Sequence, residues 1–316
     1  MKAHPTLKVL VAYHRRSLVV RDDVYAPILA GAAVTSLKSK DGRVFLEEDF
    51  LSGMLYRDDD GENISSMNRT LNEMSVVYWA WKNYAKLGNP AHIGLAHYRR
   101  FFIADESLPL PRHRWYPNSE MYLYGDEAAF RAAISSDRLV DQLASADVIS
   151  TYRYSASSLK GGRGLRNCRD RFVQMMGEEK GFLYDEMERM ALATRPELKA
   201  EAEYMRGHTD HHVCNMFVLP RDEFFRYCEF VFPILFRLAE MNAAETDVEL
   251  MRAPGFLAEF LTSMHLAQLV REGRLRVKPL RIACWGIPAH GLLRKIGRRI
   301  LPDRIRHALK KSLGVS

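Results

Sequence analysis

The sequence predicts an α/β fold in which a mostly parallel sheet is flanked by helices. Two observations carry that expectation. Short apolar runs of strand length recur along the chain, and the first of them, Leu-Lys-Val-Leu-Val-Ala at residues 7–12, is Val-rich in the manner of a strand buried on both faces. Longer segments between the runs place apolar residues at three- and four-residue spacing, which is the stripe of a helix packed on a core. Strands alternating with helices require crossover connections, and these give parallel sheets.

Taken in order, residues 7–12 form the first strand, and Tyr13-His14-Arg15-Arg16 follow its end. Residues 27–34 are small and apolar and read as a short helix, and 38–60 as an irregular, charged surface segment. Ser65 or Ser66 caps a helix running to about residue 87, with Leu71, Met74, Val77, Tyr78, Trp81 and Tyr84 on its buried stripe. Trp79 and Lys82 fall off that stripe and are available to a site. Gly88-Asn89-Pro90 supplies stop chemistry. Residues 92–96 form a strand that ends in His97-Tyr98-Arg99-Arg100. Residues 105–124, rich in Pro, Tyr and Trp, read as an ordered loop or lid, and 126–144 as helix. A strand at 147–151 ends in Tyr152-Arg153, and a glycine-dotted basic loop spans 160–164. Residues 172–193 form one or two helices. A strand at 213–219 closes at Pro220, helices cover 221–241 and 255–272, and a last strand lies at 280–284.

Composition narrows the functional classes. The chain of 316 residues has 46 Lys plus Arg against 39 Asp plus Glu, a net charge of +7. Residues 289–316 hold eight of those bases and one of the acids, so residues 1–288 are electrically balanced. A nucleic-acid binder with a basic folded face is disfavoured. No apolar run has the length of a transmembrane helix, and the first residues lack a signal-peptide core. Cys168, Cys214, Cys228 and Cys284 are widely separated, so no zinc or disulfide framework is expected and a reducing, cytoplasmic setting fits. The division is therefore an α/β domain at 1–288 and a basic amphipathic tail at 289–316.

The motifs each carry a functional and a structural reading. Polar clusters at strand ends are the most informative, because open α/β sheets bind ligands beyond the carboxyl ends of their strands. Arg99 and Arg100 beside His97 have the chemistry to hold a diphosphate; the alternative is a solvated strand end with paired arginines. Asp58-Asp59-Asp60 has the one-residue spacing that chelates Mg²⁺ or Mn²⁺, although an acidic surface turn is the plainer reading, so a divalent cofactor stays open. His208, Asp210, His211 and His212 suggest a metal site, but no single strand or helix turns them all to one point. Glu73 has the placement of a buried anchor for one of the arginines. Glu259 is a lone acid in an apolar helix, either a general base of raised pKa or the partner of an arginine such as Arg252.

An ordered series then points to a family. Asp60-Gly61-Glu62-Asn63-Ile64-Ser65, Asn68, Glu73, Tyr78-Trp79-Ala80-Trp81-Lys82-Asn83 and Ile93 through His97-Tyr98-Arg99-Arg100 resemble the bacterial capsular-polysaccharide and lipopolysaccharide glycosyltransferase family long catalogued as a domain of unknown function. Val11-Ala12-Tyr13-His14, Asn215-Met216-Phe217 and Arg252-Ala253-Pro254-Gly255 extend the resemblance over roughly residues 7–269. The resemblance implies a GT-A-like domain that takes a nucleotide sugar, most simply UDP-linked. Donor-binding residues would be Tyr13, His14, Asp60, Asn63, Asn68, Glu73, His97, Tyr98, Arg99, Arg100 and Asn215. Where such folds carry a metal-binding DxD, this chain has His97 to Arg100, so an arginine would stand in for the cation. Glu259, with Asp210 behind it, would deprotonate the acceptor hydroxyl.

The acceptor implied is a lipid-linked surface glycan. That gives the tail a role: Leu292, Leu293, Ile296 and Ile300 form an apolar face, while Arg294, Lys295, Arg298, Arg299, Lys310 and Lys311 lie largely off it and suit an anionic membrane. The expected location is the inner face of the cytoplasmic membrane. Two alternatives are a non-catalytic membrane-associated scaffold of a polysaccharide assembly complex and a metal-dependent hydrolase built on His208 to His212.

Overall fold

A computed structural model describes residues 6–35, 48–116, 118–155 and 164–286. The chain begins with β1 (Leu7–Tyr13) and β2 (Tyr25–Leu29), followed by α1 (Glu48–Ser52), β3 (Tyr56–Arg57), α2 (Asn68–Leu71) and α3 (Met74–Lys82). Next come β4 (His92–His97), β5 (Arg100–Phe102), β6 (Met121–Tyr124), α4 (Glu127–Ala133), α5 (Ser136–Gln142), β7 (Val148–Thr151) and β8 (Arg153–Ser155). The second half holds α6 (Cys168–Met176), α7 (Gly181–Thr194), α8 (Lys199–Gly207), β9 (Asp210–His212) and β10 (Phe217–Pro220). It closes with α9 (Arg221–Met241), α10 (Ala253–Glu272), β11 (Val277–Leu280) and β12 (Ile282–Trp285).

The central sheet has the order β11-β7-β10-β4-β1-β2-β3. It is largely parallel: β3, β2, β1 and β4 run one way, β7 and β11 run with them, and β10 is reversed between β4 and β7. Alternation along β1 divides the core. Leu10 and Ala12 face the layer built from α3, α9 and α10, while Val9, Val11 and Tyr13 face the layer closed by α4, β6 and β12. Both faces are covered, which is why β1 reads as an almost unbroken apolar run. The α/β expectation holds. Among the described residues no helix is long and apolar enough to cross a membrane.

Several local expectations fail for identifiable reasons. Residues 25–29 are a strand, not a helix, in parallel register with β1 from Val9↔Tyr25 to Tyr13↔Leu29. A buried apolar stretch this short has no period to separate the two states. The helix expected from Ser65 to residue 87 is broken at Asn72, whose φ is +52°, and Gly88 ends the following turn in the left-handed conformation at φ +79°. The run at 126–144 is two helices, each with its own cap: Asp126 accepts from Ala129 N and Ser135 from Arg138 N. Residues 213–219 turn sharply at Cys214 (φ +73°) and Asn215 (φ +49°), so β10 starts only at Phe217. The expected last strand divides between two partners, β11 with β7 and β12 with β5 and β6. The loop at 160–163 and the tail at 289–316 lie outside the described residues.

Candidate functional site

Parallel pairing brings the carboxyl ends of β1, β4 and β7 to one edge of the sheet. Because β10 is antiparallel, its beginning lies at the same edge. His14, His97 to Arg100, Thr151 and the Cys214–Asn215 turn therefore share one end of the molecule. This is the position at which open α/β sheets receive ligands.

The arginine pair sits on a tight return. His97 pairs with Arg100 across it, leaving Tyr98 and Arg99 as the turn. The Arg99 carbonyl accepts from Trp285 N at 2.9 Å, which ties the turn to β12. Among the described residues neither Arg99 nor Arg100 forms an ion pair, and the Nε of each is buried without a hydrogen-bond partner. Their surroundings are aromatic. The Arg99 guanidinium lies 5.2 Å from the Tyr98 ring and 5.0 Å from that of Trp115, and Arg100 lies 5.6 Å from the same indole. Burial and the neighbouring charges of Arg100 and Arg15 lower the proton affinity of Arg99. Partly buried cations without an ion pair carry a desolvation cost that an anion would offset.

An acidic group lies across from this pair. Asn215 Nδ2 donates to Glu73 Oε1 at 2.8 Å, and Asn215 Oδ1 accepts from Thr262 Oγ1 at 3.0 Å. Thr262 is three residues beyond Glu259 on α10 and also meets the Tyr227 hydroxyl at 2.7 Å. Glu259 itself is pushed up to about 7. Burial is the main cause and the negative Glu73 adds to it, while Arg100 and the Cys214 N–H oppose. His97 donates from Nε2 to the Cys214 carbonyl. Burial lowers the His97 pKa and Glu73 partly offsets this.

The chain positions these groups through backbone constraints. Asn72 in its positive-φ conformation accepts from Arg252 Nε at 2.8 Å. A Cβ on Gly255 would lie 2.2 Å from Asn72 Nδ2, so only glycine lets the start of α10 approach this closely. That contact sets Glu73 beside Asn215 and fixes the direction of the helix carrying Glu259.

Of the remaining sequence candidates, His14 lies at the rim of this edge and the others fall away from it. Tyr13 is fully buried, donates to Leu18 O at 2.9 Å and accepts from Val20 N at 3.0 Å. With its hydroxyl so engaged, its ring supports the core rather than meeting a base. His14 lies at the rim, edge-on to Tyr98 at 4.8 Å. It is exposed by area yet crowded by atoms, and that crowding, with Arg15, His97, Arg252 and Arg99, holds it well below the usual imidazole range.

Asp58, Asp59 and Asp60 do not converge. The buried Asp58 carboxylate accepts from Gly31 N, Ala32 N, Ser65 Oγ and Ser75 Oγ at 2.6–2.9 Å. Asp59 pairs with Arg57, and Asp60 with Lys86 and Trp79 Nε1. Three strand spacings, about 14 Å, separate β3 from β4. Asp58 is saturated by protein partners, and Asp59 and Asp60 are each drawn to a different cation, so the three do not converge as a Mg²⁺ or Mn²⁺ site requires. Asn63 closes its own turn through Gly61 O and Ser65 N, and Asn68 holds Asn72 O and Ser75 Oγ. Asn63 and Asn68 thus serve the frame that carries Glu73.

Trp79 is wholly buried, and Lys82 pairs with Glu62, so neither faces the edge. Glu73 is bonded to Asn215, not to an arginine, and Arg252 meets Glu249 and Asn72 instead of Glu259. Asp210 lines a separate cavity of about 210 Å³ with Arg153 and Tyr204, and accepts from the Tyr204 hydroxyl at 2.9 Å. His208 stacks on Tyr204, His211 on Phe260, and His212 bonds Thr151 O. No group of three or more His, Cys, Asp or Glu among the described residues is arranged to hold a metal. That removes the basis for the hydrolase reading. Arg294, Lys295, Arg298, Arg299, Lys310 and Lys311 lie outside the described residues.

Sequence reasoning missed Trp115 and the Cys214 backbone. The aromatic content of residues 105–124 signalled a covering loop but gave no way to choose one ring. The Cys214–Asn215 turn leaves no mark, because neither residue is glycine.

Fold and edge together define an α/β protein whose sheet edge holds two arginines without ion pairs among the described residues and one carboxyl of raised proton affinity. The chain belongs to the family described as domain of unknown function DUF4422, which matches residues 8–270. No curated protein matches it. Its structure is similar to that of the bifunctional glycosyltransferase WbbM in the apo form, with 22% sequence identity and a TM-score of 0.72. The match covers 89% of this chain and 46% of that one, so this chain spans about half the length of that structure.

Proposed function

We propose that the chain is a GT-A-like glycosyltransferase that moves a sugar from a nucleotide donor, UDP-linked, to a growing lipid-linked surface polysaccharide such as capsule, exopolysaccharide or O-antigen. The observation that carries the reading is the presence, at one sheet edge, of two half-buried arginines whose Nε atoms are buried without a partner and of a carboxyl pushed up to about 7. The bond between the anomeric carbon and the diphosphate oxygen breaks as the acceptor oxygen attacks that carbon. Glu259 takes the acceptor proton, and Arg99 and Arg100 receive the charge that develops on the departing diphosphate. His97, Tyr98 and His14 shape the donor side. Glu73 and Asn215 keep a negative charge beside Glu259 and so keep its proton affinity high.

The deciding experiment is turnover of UDP-sugars with and without EDTA. Because arginines supply the positive charge, the rate is expected to stay within about twofold of the untreated rate. Abolition by EDTA, with recovery on added Mn²⁺, overturns the arginine mechanism.

We further propose that residues 289–316 hold the enzyme on the cytoplasmic face of the membrane. Removing them is expected to release the protein from vesicles containing anionic lipid, since basic groups near such a surface contribute about 1 kcal/mol each. Unchanged sedimentation with vesicles overturns this.

A further inference from the structure

We propose that Trp115 is a positioning residue for the diphosphate-binding arginines, holding both guanidiniums with one indole ring in place of an ion pair. This rests on the donor site proposed above. Two cations on adjacent residues repel one another, and Arg15 adds to the repulsion on Arg99. A carboxylate would hold them in place, but it would also neutralise the charge that a diphosphate needs. An aromatic face attracts a cation through its quadrupole without cancelling its charge. The structure has that arrangement: one indole at 5.0 Å from Arg99 and 5.6 Å from Arg100, and no ion pair to either among the described residues.

The indole is itself well anchored. Trp115 N donates to Met121 O and Leu123 N to His113 O, both at 2.9 Å, and Arg114 bridges to Tyr122, so a ribbon fixes the backbone that carries the ring relative to β6. β6 is paired through β12 with β5, the strand that begins at Arg100. Ring and guanidiniums are thus tied to one framework. The spacing of the two cations is set before a ligand arrives, which lowers the ordering cost of binding.

The test is calorimetric binding of UDP, uridine and inorganic pyrophosphate to the full chain and to Trp115→Ala, Trp115→Leu and Trp115→Phe. The alanine and leucine variants are expected to weaken UDP and pyrophosphate by about tenfold, with uridine unchanged. The phenylalanine variant is expected to recover most of that loss. Equal binding by leucine and phenylalanine variants would mean that the ring only packs, and undiminished pyrophosphate binding by the alanine variant overturns the proposal outright. Thermal melting of each variant separates loss of fold from loss of site. Pyrophosphate binding needs no turnover, so a Trp115-dependent anion site in a protein that consumes no nucleotide sugar would count against the transferase reading alone.

Discussion

Replacing Arg99 and Arg100 together with alanine is expected to lower kcat/KM for the nucleotide-sugar donor by about three orders of magnitude, measured as initial rates over a range of donor concentrations. The size follows from what the two side chains lack. Neither forms an ion pair among the described residues, and each Nε is buried without a partner, so their charge is not spent on the fold. An interaction that strengthens only as negative charge develops on the leaving group acts on kcat, and the part already made with the ground-state diphosphate acts on KM. Both constants are therefore expected to change. Stability should not fall with them. Burial disfavours the charged form of Arg99, so its removal is not expected to lower the melting temperature. Near-parental kinetics in a folded double variant would take the arginines out of the site, and a large drop in melting temperature would show that they are structural.

The α/β architecture was legible because the buried strands and amphipathic helices each leave a periodic trace. β1, β4, α9 and α10 were recognisable for that reason, and His97 to Arg100 could be placed at a strand end without coordinates. What the sequence did not disclose was the reversal of β10. Antiparallel insertion brings the start of that strand, rather than its end, to the ligand edge, and so puts Cys214 and Asn215 beside His97 and Glu73. A run of seven residues carries no sign of its own direction. The Asp-rich motif and its asparagines were harder still, since Asp58, Asn63 and Asn68 have the residue types of a ligand site but spend their polar atoms on Gly31, Ala32, Ser65, Gly61 and Ser75. Only hydrogen-bond partners distinguish a carboxylate that holds a metal from one that holds a loop. Tyr13 fails as a ligand group for a related reason: β1 alternates between two buried faces, so its last side chain points into a core layer.

Glu259→Gln is expected to reduce kcat by about 10²- to 10⁴-fold with donor KM little changed, because a general base acts on the proton and not on donor affinity. The pH dependence gives a second, independent check. With Glu259 pushed up to about 7, the parent rate should fall as pH drops below 7, and the residual rate of the variant should lose that limb. Stability should move in the opposite direction. A carboxyl whose folded pKa lies above its unfolded value of 4.5 is penalised in the folded state once it must ionise. That cost is absent below about pH 4.5, accrues as pH rises toward 7, and is fully present above it. A neutral glutamine never incurs it, so the variant should gain on the order of 2 kcal/mol in denaturant unfolding at pH 8 and nothing at pH 4. A variant that is slower and more stable at pH 8, with both differences vanishing in acid, is the signature of a base kept in an unfavourable setting for catalysis. Full activity in Glu259→Gln excludes Glu259 as the base, and equal stability at both pH values removes the raised proton affinity on which that role depends.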